Sequence, residues 1–313
     1  MKPEEERAFS WFPGHMAKGM REIEMDLKMV DLVVLVLDAR IPRSSRHPQL
    51  EHLVARRNKM VLRVLNKTDL ADASASAAWV RHFAAQQEPL LRASALTGKG
   101  ISGLRDLIEP VRVRLLEEAR RKGLVSRPVR LLVAGIPNVG KSSLINRLTQ
   151  GSRAKVGKKP GVTRGRQWIT IAEGIEIRDS PGILFPRING HEMFVHLAAT
   201  GAISEDTLPL DQVAEYLAGI LERRGILQIA GREESGLASP DGPDPRGAGW
   251  VDHGRLAAFA RQRGMLLPGS TPDLERAAHF LLKHTREARW GPLTLEMPSD
   301  VTPPPPQVTP DED

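Results

Sequence analysis

The residues that point most directly to chemistry are Gly135-Ile136-Pro137-Asn138-Val139-Gly140-Lys141-Ser142. They fit G-x-x-x-x-G-K-[ST], a loop whose backbone N–H groups wrap a phosphate. Asn138, Val139, Gly140, Lys141, Ser142 and Ser143 are the expected nucleotide-binding residues here. The N–H groups converge on the β-phosphate, Lys141 contacts the β- and γ-phosphates, and Ser142 ligates magnesium. A second set, Asn66-Lys67-Thr68-Asp69, has the types needed to read a purine. The Asp69 carboxylate accepts from both N1–H and the 2-amino group of guanine. Adenine offers no donors there and would leave the charge unpaired. The Asn66 amide suits the N7/O6 edge, and the Lys67 stem suits the ring face. A third set, Asp179-Ser180-Pro181-Gly182, is a D-x-x-G. Asp179 would hold magnesium through water, and the Gly182 N–H would bond the γ-phosphate. Thr163, 22 positions past Lys141, lies where a magnesium-ligating threonine is needed.

Each set requires a strand to deliver it, and the sequence supplies one. Val129–Ala134 is an apolar run before the phosphate loop, and Leu144, Ile145 and Leu148 give the residues after it one helical face. A helix starting at the loop turns its positive dipole end to the anion. Met60–Leu65 is a strand ending at Asn66, and residues 174–178 are a strand ending at Asp179. Leu32–Leu37, residues 89–92 and residues 167–172 complete six strands, the last paired with 174–178 through a turn at Glu173-Gly174. The fold class is therefore α/β, with a doubly wound, mostly parallel six-stranded sheet. Ligands bind such sheets at the carboxyl ends of the strands. Met16, Met20, Ile23, Leu27 and Val30 mark a helix before the first strand. Ile101, Leu104, Leu107, Ile108, Val111 and Leu115 mark another.

Composition narrows the class. The 313 residues allow two cores, and 41% hydrophobic with 27% charged residues is ordinary for a globular protein. No apolar run reaches the length of a membrane span. Met1–Arg7 lacks the apolar core of a signal peptide and is too acidic for a transit peptide, so a cytoplasmic location is expected. The absence of cysteine excludes disulfides, thiol chemistry and Cys-based zinc sites. A net charge of +7 suits a polyanionic partner such as RNA, and equally a basic surface that only aids solubility.

The order of the motifs is unusual. Most GTPases run phosphate loop, threonine, D-x-x-G, N-K-x-D, S-A. Here N-K-x-D and the S-A pair, Ser94-Ala95, precede the phosphate loop. This is a cyclic permutation of one cycle, which a domain with adjacent termini tolerates. With Trp11–Met16, Asp38-Ala39-Arg40-Ile41-Pro42 and Gly291–Glu296 added, the chain resembles the circularly permuted bacterial GTPases that assist late assembly of the large ribosomal subunit. The likeness covers residues 9–295. It implies GTP hydrolysis, magnesium, GTP and GDP as ligands, and the large-subunit precursor with its rRNA as partner. It further implies that the Ala95 N–H meets guanine O6, and that Lys141 and Thr163 serve catalysis. Ile183 stands where many GTPases carry a water-orienting Gln, so intrinsic hydrolysis should be slow. The family pattern offers two substitutes. Asn138 matches the residue that supports potassium, which would stabilise transition-state charge. His15 would position the water, the alternative being a turn residue pinned by the neighbouring aromatics.

The remaining chain reads as a smaller all-α unit. Residues 1–185 form the permuted nucleotide domain, 186–296 a helical RNA- or ribosome-binding domain, and 297–313 a disordered tail. Helices are expected at 192–199, 210–224, 255–263 and 273–289, and a Gly/Pro-rich loop at 231–249. Arg261, Arg263, Lys283, Arg286 and Arg289 are candidate phosphate contacts. No membrane partner is expected, and a monomer is. A GTP-sensing RNA-binding scaffold with negligible turnover is the second reading. An ATP-dependent kinase is a third, disfavoured by Asn66–Asp69.

Overall fold

The computed structural model describes residues 9–10, 14–125, 127–150, 168–188, 190–230 and 254–300. Its first half runs β1 (Phe9–Ser10), α1 (Gly14–Asp26), β2 (Leu32–Asp38), α2 (Pro48–Arg56), β3 (Met60–Asn66), α3 (Ala73–Ala85), β4 (Leu90–Arg92) and α4 (Ile101–Arg121). The phosphate-loop half follows with β5 (Val129–Ala134), α5 (Lys141–Gln150), β6 (Ile169–Ala172), β7 (Ile175–Asp179) and β8 (Arg187–Ile188). The C-terminal region holds α6 (His191–Ala199), α7 (Leu210–Arg223), α8 (Gly254–Gln262), the two-residue strands β9 (Leu266–Leu267) and β10 (Thr271–Pro272), and α9 (Leu274–Arg286).

Six strands make one sheet in the order β4-β3-β2-β5-β7-β6. All neighbours are parallel except β6 with β7. β2 is Leu-Val-Val-Leu-Val-Leu-Asp and is buried at all seven positions, as a central strand covered on both faces must be. The permutation leaves this sheet intact: β2 joins the guanine-loop strand β3 on one side and the phosphate-loop strand β5 on the other. One core cluster runs from α1 and the sheet through Ile183, Leu184 and Phe185 into α6, α7 and α9. A smaller cluster gathers Trp79 and Phe83 of α3 against Leu37, Leu65 and Leu90.

The helical region is tied down by residues that follow α9. The Leu293 N–H donates to the Leu70 carbonyl at 3.0 Å, and the Leu295 N–H to the Arg40 carbonyl at 2.7 Å. Glu296 is buried. Its carboxylate accepts the Arg43 and Ser44 N–H groups at 2.7 and 3.0 Å and lies 3.1 Å from Nδ1 of His196. The Trp79 indole N–H donates to the Glu296 carbonyl at 3.0 Å. Residues 293–296 thus form a strap across the Asp38–Pro42 loop.

The helices expected from apolar spacing all form, with ends shifted by a few residues. The helix after the phosphate loop begins at Lys141 itself, and α9 stops at Arg286. Two short antiparallel pairs, β1 with β8 and β9 with β10, have no apolar alternation long enough to signal them. Among the described residues no helix is long and apolar enough to cross a membrane. Trp11–Pro13, Thr163 and the 231–249 loop lie outside the described residues. Of the tail expected to be disordered at 297–313, Pro298–Asp300 instead form a 3-10 helix, and residues 301–313 lie outside the described residues.

Candidate functional site

The sheet register sets the site. Asp38 at the end of β2 pairs with Asn66 at the end of β3, and Val133 near the end of β5 pairs with Asp179 at the end of β7. The motif residues therefore emerge along one carboxyl edge.

Asn66 joins three motifs. Its Nδ2 donates to the Val139 carbonyl of the phosphate loop at 2.8 Å, and its Oδ1 accepts the Ala95 N–H of the S-A loop at 2.9 Å. Both ends of this buried amide are thus engaged by protein, where sequence reasoning put it against the base edge. The approach is close enough to dictate Gly140. A Cβ there would sit 2.4 Å from Nδ2 of Asn66 and 3.9 Å from Cε of Lys67, and the backbone has φ +94°, which favours glycine. The base-reading and phosphate-binding loops are in direct contact despite their exchanged positions in the chain.

Lys67 adopts φ +62°, a left-handed conformation that costs a non-glycine residue roughly 1–2 kcal/mol. Its ammonium pairs with buried Asp38 at 3.0 Å. Asp38 also takes Nε and Nη2 of Arg40 at 2.9 and 2.7 Å. Burial opposes the Asp38 charge, but Arg40, Lys67 and the Arg40 hydrogen bonds outweigh it and hold the carboxyl well below the usual range. Burial lowers the Lys67 pKa, with Asp38 opposing. Beside this pair, Oδ1 of Asp69 is buried with no hydrogen-bond partner among the described residues. An orphaned buried carboxylate oxygen is costly, and it fits a missing donor such as the guanine edge.

Ser94, the other half of the S-A pair, is buried, and its Oγ accepts the Thr97 N–H at 3.1 Å. Arg147 of α5 donates Nε to the Ala95 carbonyl at 2.9 Å and Nη2 to the Leu96 carbonyl. The phosphate-loop helix thereby fixes the guanine loop.

At the phosphate end, Lys141 is buried and folds its Nζ back onto the Ile136 carbonyl at 2.9 Å. Burial lowers its pKa to about 8; Asp179 opposes that and Lys67 adds to it. Gly182 closes the other wall, where a Cβ would meet Nζ of Lys141 at 2.9 Å. Oγ of Ser142 donates to Oδ2 of Asp179 at 2.7 Å. Oδ1 of Asp179 is buried without a partner among the described residues. A hydroxyl beside a carboxylate with one unused oxygen is a donor set for a hard, oxygen-seeking cation such as magnesium.

Ile183 is fully buried. It packs against α1, where a Cβ at Gly19 would lie 3.0 Å from Cδ1 of Ile183 and 3.4 Å from Pro181. A second tie is the buried ion pair between Asp26 of α1 and Arg178 of β7, at 2.7 Å. Helix α1 is thus docked along the segment that follows β7. Position 15 lies on α1 one turn before Gly19, and the His15 side chain lies outside the description. Asn138 adopts φ +60°, which asparagine tolerates. Its Nδ2 donates to the Gly201 carbonyl. Its Oδ1 is the end that a potassium ion requires.

Of the candidate RNA contacts, Arg286 is committed inward to the Ala198 and Ala199 carbonyls and to Glu205. Arg289 pairs with Glu287, and Arg263 stands over the rings of Phe259, Phe280 and Trp290. Asp38 and Arg40, which carry only the resemblance in the sequence, and Arg147 belong to the site as well. Asp38 and Arg40 pair with each other two residues apart, but their further partners Lys67 and Arg286, and the Ala95 carbonyl that Arg147 reaches, are distant in sequence, and no local spacing marks them.

Comparison with known proteins gives consistent neighbours. The 50S ribosome-binding GTPase family matches residues 130–220, the stretch from the phosphate-loop strand onward. Ribosome biogenesis GTPase A of Bacillus licheniformis is 35% identical over 291 residues, 93% of this chain and 99% of that one. The crystal structure of GNP-bound YlqF from Thermotoga maritima superposes with TM-score 0.63 at 26% identity. It covers 91% of this chain and 100% of that chain. The GDP-bound form gives TM-score 0.62.

Proposed function

Because the chain belongs to the ribosome biogenesis GTPase A family, we propose that it binds and hydrolyses GTP while assisting late assembly of the large ribosomal subunit, and that the subunit stimulates turnover. The observation that carries this reading is Asn66, which binds the phosphate loop and the S-A loop at once beside the unpartnered carboxylate oxygen of Asp69. In this reading Asp69 selects guanine, Ala95 lines the base and the N–H groups of 138–143 hold the phosphates. Lys141 leaves the Ile136 carbonyl for the β- and γ-phosphates. Ser142 and Asp179, with Thr163, hold magnesium, which when bound neutralises charge on the phosphates.

Ile183 has no hydrogen-bonding group and is buried, so the attacking water needs another partner. His15 takes that role, carried by a helix that rests on Ile183 and Pro181. Oδ1 of Asn138 supports a potassium ion. Residues 1–185 and 186–296 act as two units, with cytoplasmic location and a monomeric chain part of the same reading. The buried run Ile183-Leu184-Phe185 leads from the γ-phosphate contact at Gly182 into β8 and α6, so a change at Gly182 is passed on with little slack.

The test is GTP turnover with and without large subunits, in potassium and in sodium. Stimulation by subunits in potassium is expected, and His15→Ala is expected to keep GTP affinity while losing most of the stimulated rate. No turnover in any condition, with intact GTP binding, supports the scaffold reading instead.

A further inference from the structure

Two segments that the mechanism above does not use, the Asp38–Pro42 loop and residues 198–201, both touch nucleotide motifs. Helix α6 ends in a Schellman cap. The Gly201 N–H donates to the Ala198 carbonyl at 3.0 Å and the Ala202 N–H to the Leu197 carbonyl at 2.8 Å, with Gly201 at φ +78°. This turn presents the Gly201 carbonyl to the phosphate loop, where it accepts Nδ2 of Asn138. A helix C-terminus, the negative end of its dipole, is thus seated against a loop built to hold polyphosphate.

Arg286 supplies the compensating charge. Its Nη2 donates to the Ala198 carbonyl at 2.7 Å and its Nε to the Ala199 carbonyl at 3.3 Å, while Nη1 pairs with Glu205. A Cβ on Gly201 would lie 3.4 Å from Nε of Arg286 and 3.7 Å from Nδ2 of Asn138, so the guanidinium and the loop amide flank one turn. Arg286 is held in turn through its own carbonyl, which accepts Nη1 of Arg40 at 2.9 Å. Arg40 is paired with Asp38, and Asp38 with Lys67. The contacts run from the base-reading loop, through the helical region, back to the phosphate loop.

We propose that Arg286 is a positioning residue for the phosphate loop. It holds the Gly201 turn against Asn138 and offsets the negative helix end, so the helical region sets nucleotide affinity and favours the more highly charged triphosphate. The inference rests on the guanine-nucleotide reading above.

The experiment is a double-mutant cycle in the full chain, with Arg286→Ala, Asn138→Ala and both. GDP and a non-hydrolysable GTP analogue are titrated, with Arg286→Lys as the conservative variant. Arg286→Ala should weaken GDP binding about fivefold, the worth of one net hydrogen bond, and the analogue by more. Arg286→Lys, which keeps the charge at the helix end, should recover part of the analogue affinity. The double variant should lose less than the sum of the two single losses, because both substitutions weaken the Gly201–Asn138 contact, while the charge of Arg286 and the potassium role of Asn138 act separately. In the wild type, GDP should slow hydrogen exchange at residues 198–202, since coupling is reciprocal. That measurement decides the matter if Arg286→Ala does not fold. Additive losses, unchanged affinities with a lowered unfolding midpoint, or exchange at 198–202 indifferent to GDP would overturn the proposal while wild-type binding stands. A wild type that binds neither nucleotide overturns the guanine-nucleotide reading beneath it.

Discussion

Replacing Asn66 by alanine separates two accounts of this residue. If its amide served only the base edge, the nucleotide-free protein would not notice the change. In the structure the residue is 1% exposed and makes hydrogen bonds of 2.8 and 2.9 Å to Val139 and Ala95. Each such bond is worth about 1 kcal/mol net, and a buried group left unpaired costs about 1–3 kcal/mol. Asn66→Ala strands the Val139 carbonyl and the Ala95 N–H together, so the nucleotide-free protein should lose about 2–4 kcal/mol. That is a large share of a total stability of roughly 5–15 kcal/mol. Asn66→Asp keeps an acceptor for Ala95 but turns an oxygen toward the Val139 carbonyl, and should lose as much. Urea unfolding without nucleotide, read through the transition midpoint at constant slope, is the assay. Unchanged unfolding alongside weakened guanine-nucleotide binding would refute the reasoning and return Asn66 to the base edge alone.

Lys141 gives a pH prediction with a definite sign. Burial holds its folded pKa near 8 against 10.5 for the free side chain. Between these values the unfolded chain binds more protons, so the Lys141 contribution to stability rises with pH across that window. Phosphate binding restores the charge. At pH 9, calorimetry in buffers of different ionisation enthalpy should show proton uptake on GDP binding, with affinity falling as pH rises above 8. Proton-neutral binding at pH 9 would count against a desolvated Lys141. Gly19→Leu forces a side chain into space held by Ile183 and Pro181 and should cost about 1–3 kcal/mol of stability. Because it lifts α1 from the segment after β7, it should also depress subunit-stimulated turnover more than nucleotide binding. A variant with wild-type turnover would detach α1 from the chemistry.

The sheet was legible because its strands are saturated signals. Leu32–Leu37 and Val129–Ala134 are too apolar to lie anywhere but inside, and their motif-bearing ends place the loops. Exchanged order did not obscure the site, because parallel pairing of β2 with both β3 and β5 depends on space rather than on sequence order. The two-residue pairs β1–β8 and β9–β10 carry too little pattern to be read. Arg147 reaches carbonyls of the S-A loop some 50 residues earlier, which no local spacing reveals. Arg286 is different. It lies four residues past Leu282 and eight past Ala278, both buried, so helical spacing already set it on the inward face of α9. Its charge led to a surface reading, although the carbonyls at the end of α6 offered an inward partner.

On the proposed reading, two loops exchanged along the chain form one guanine-nucleotide pocket. Competition against bound fluorescent GDP tests it most directly, with GTP and ATP as competitors and with Asp69→Ala and Lys141→Ala as variants. GTP should displace the probe and ATP should not, and each variant alone should weaken probe binding. Displacement by ATP as readily as by GTP, or full probe affinity in either variant, would contradict it.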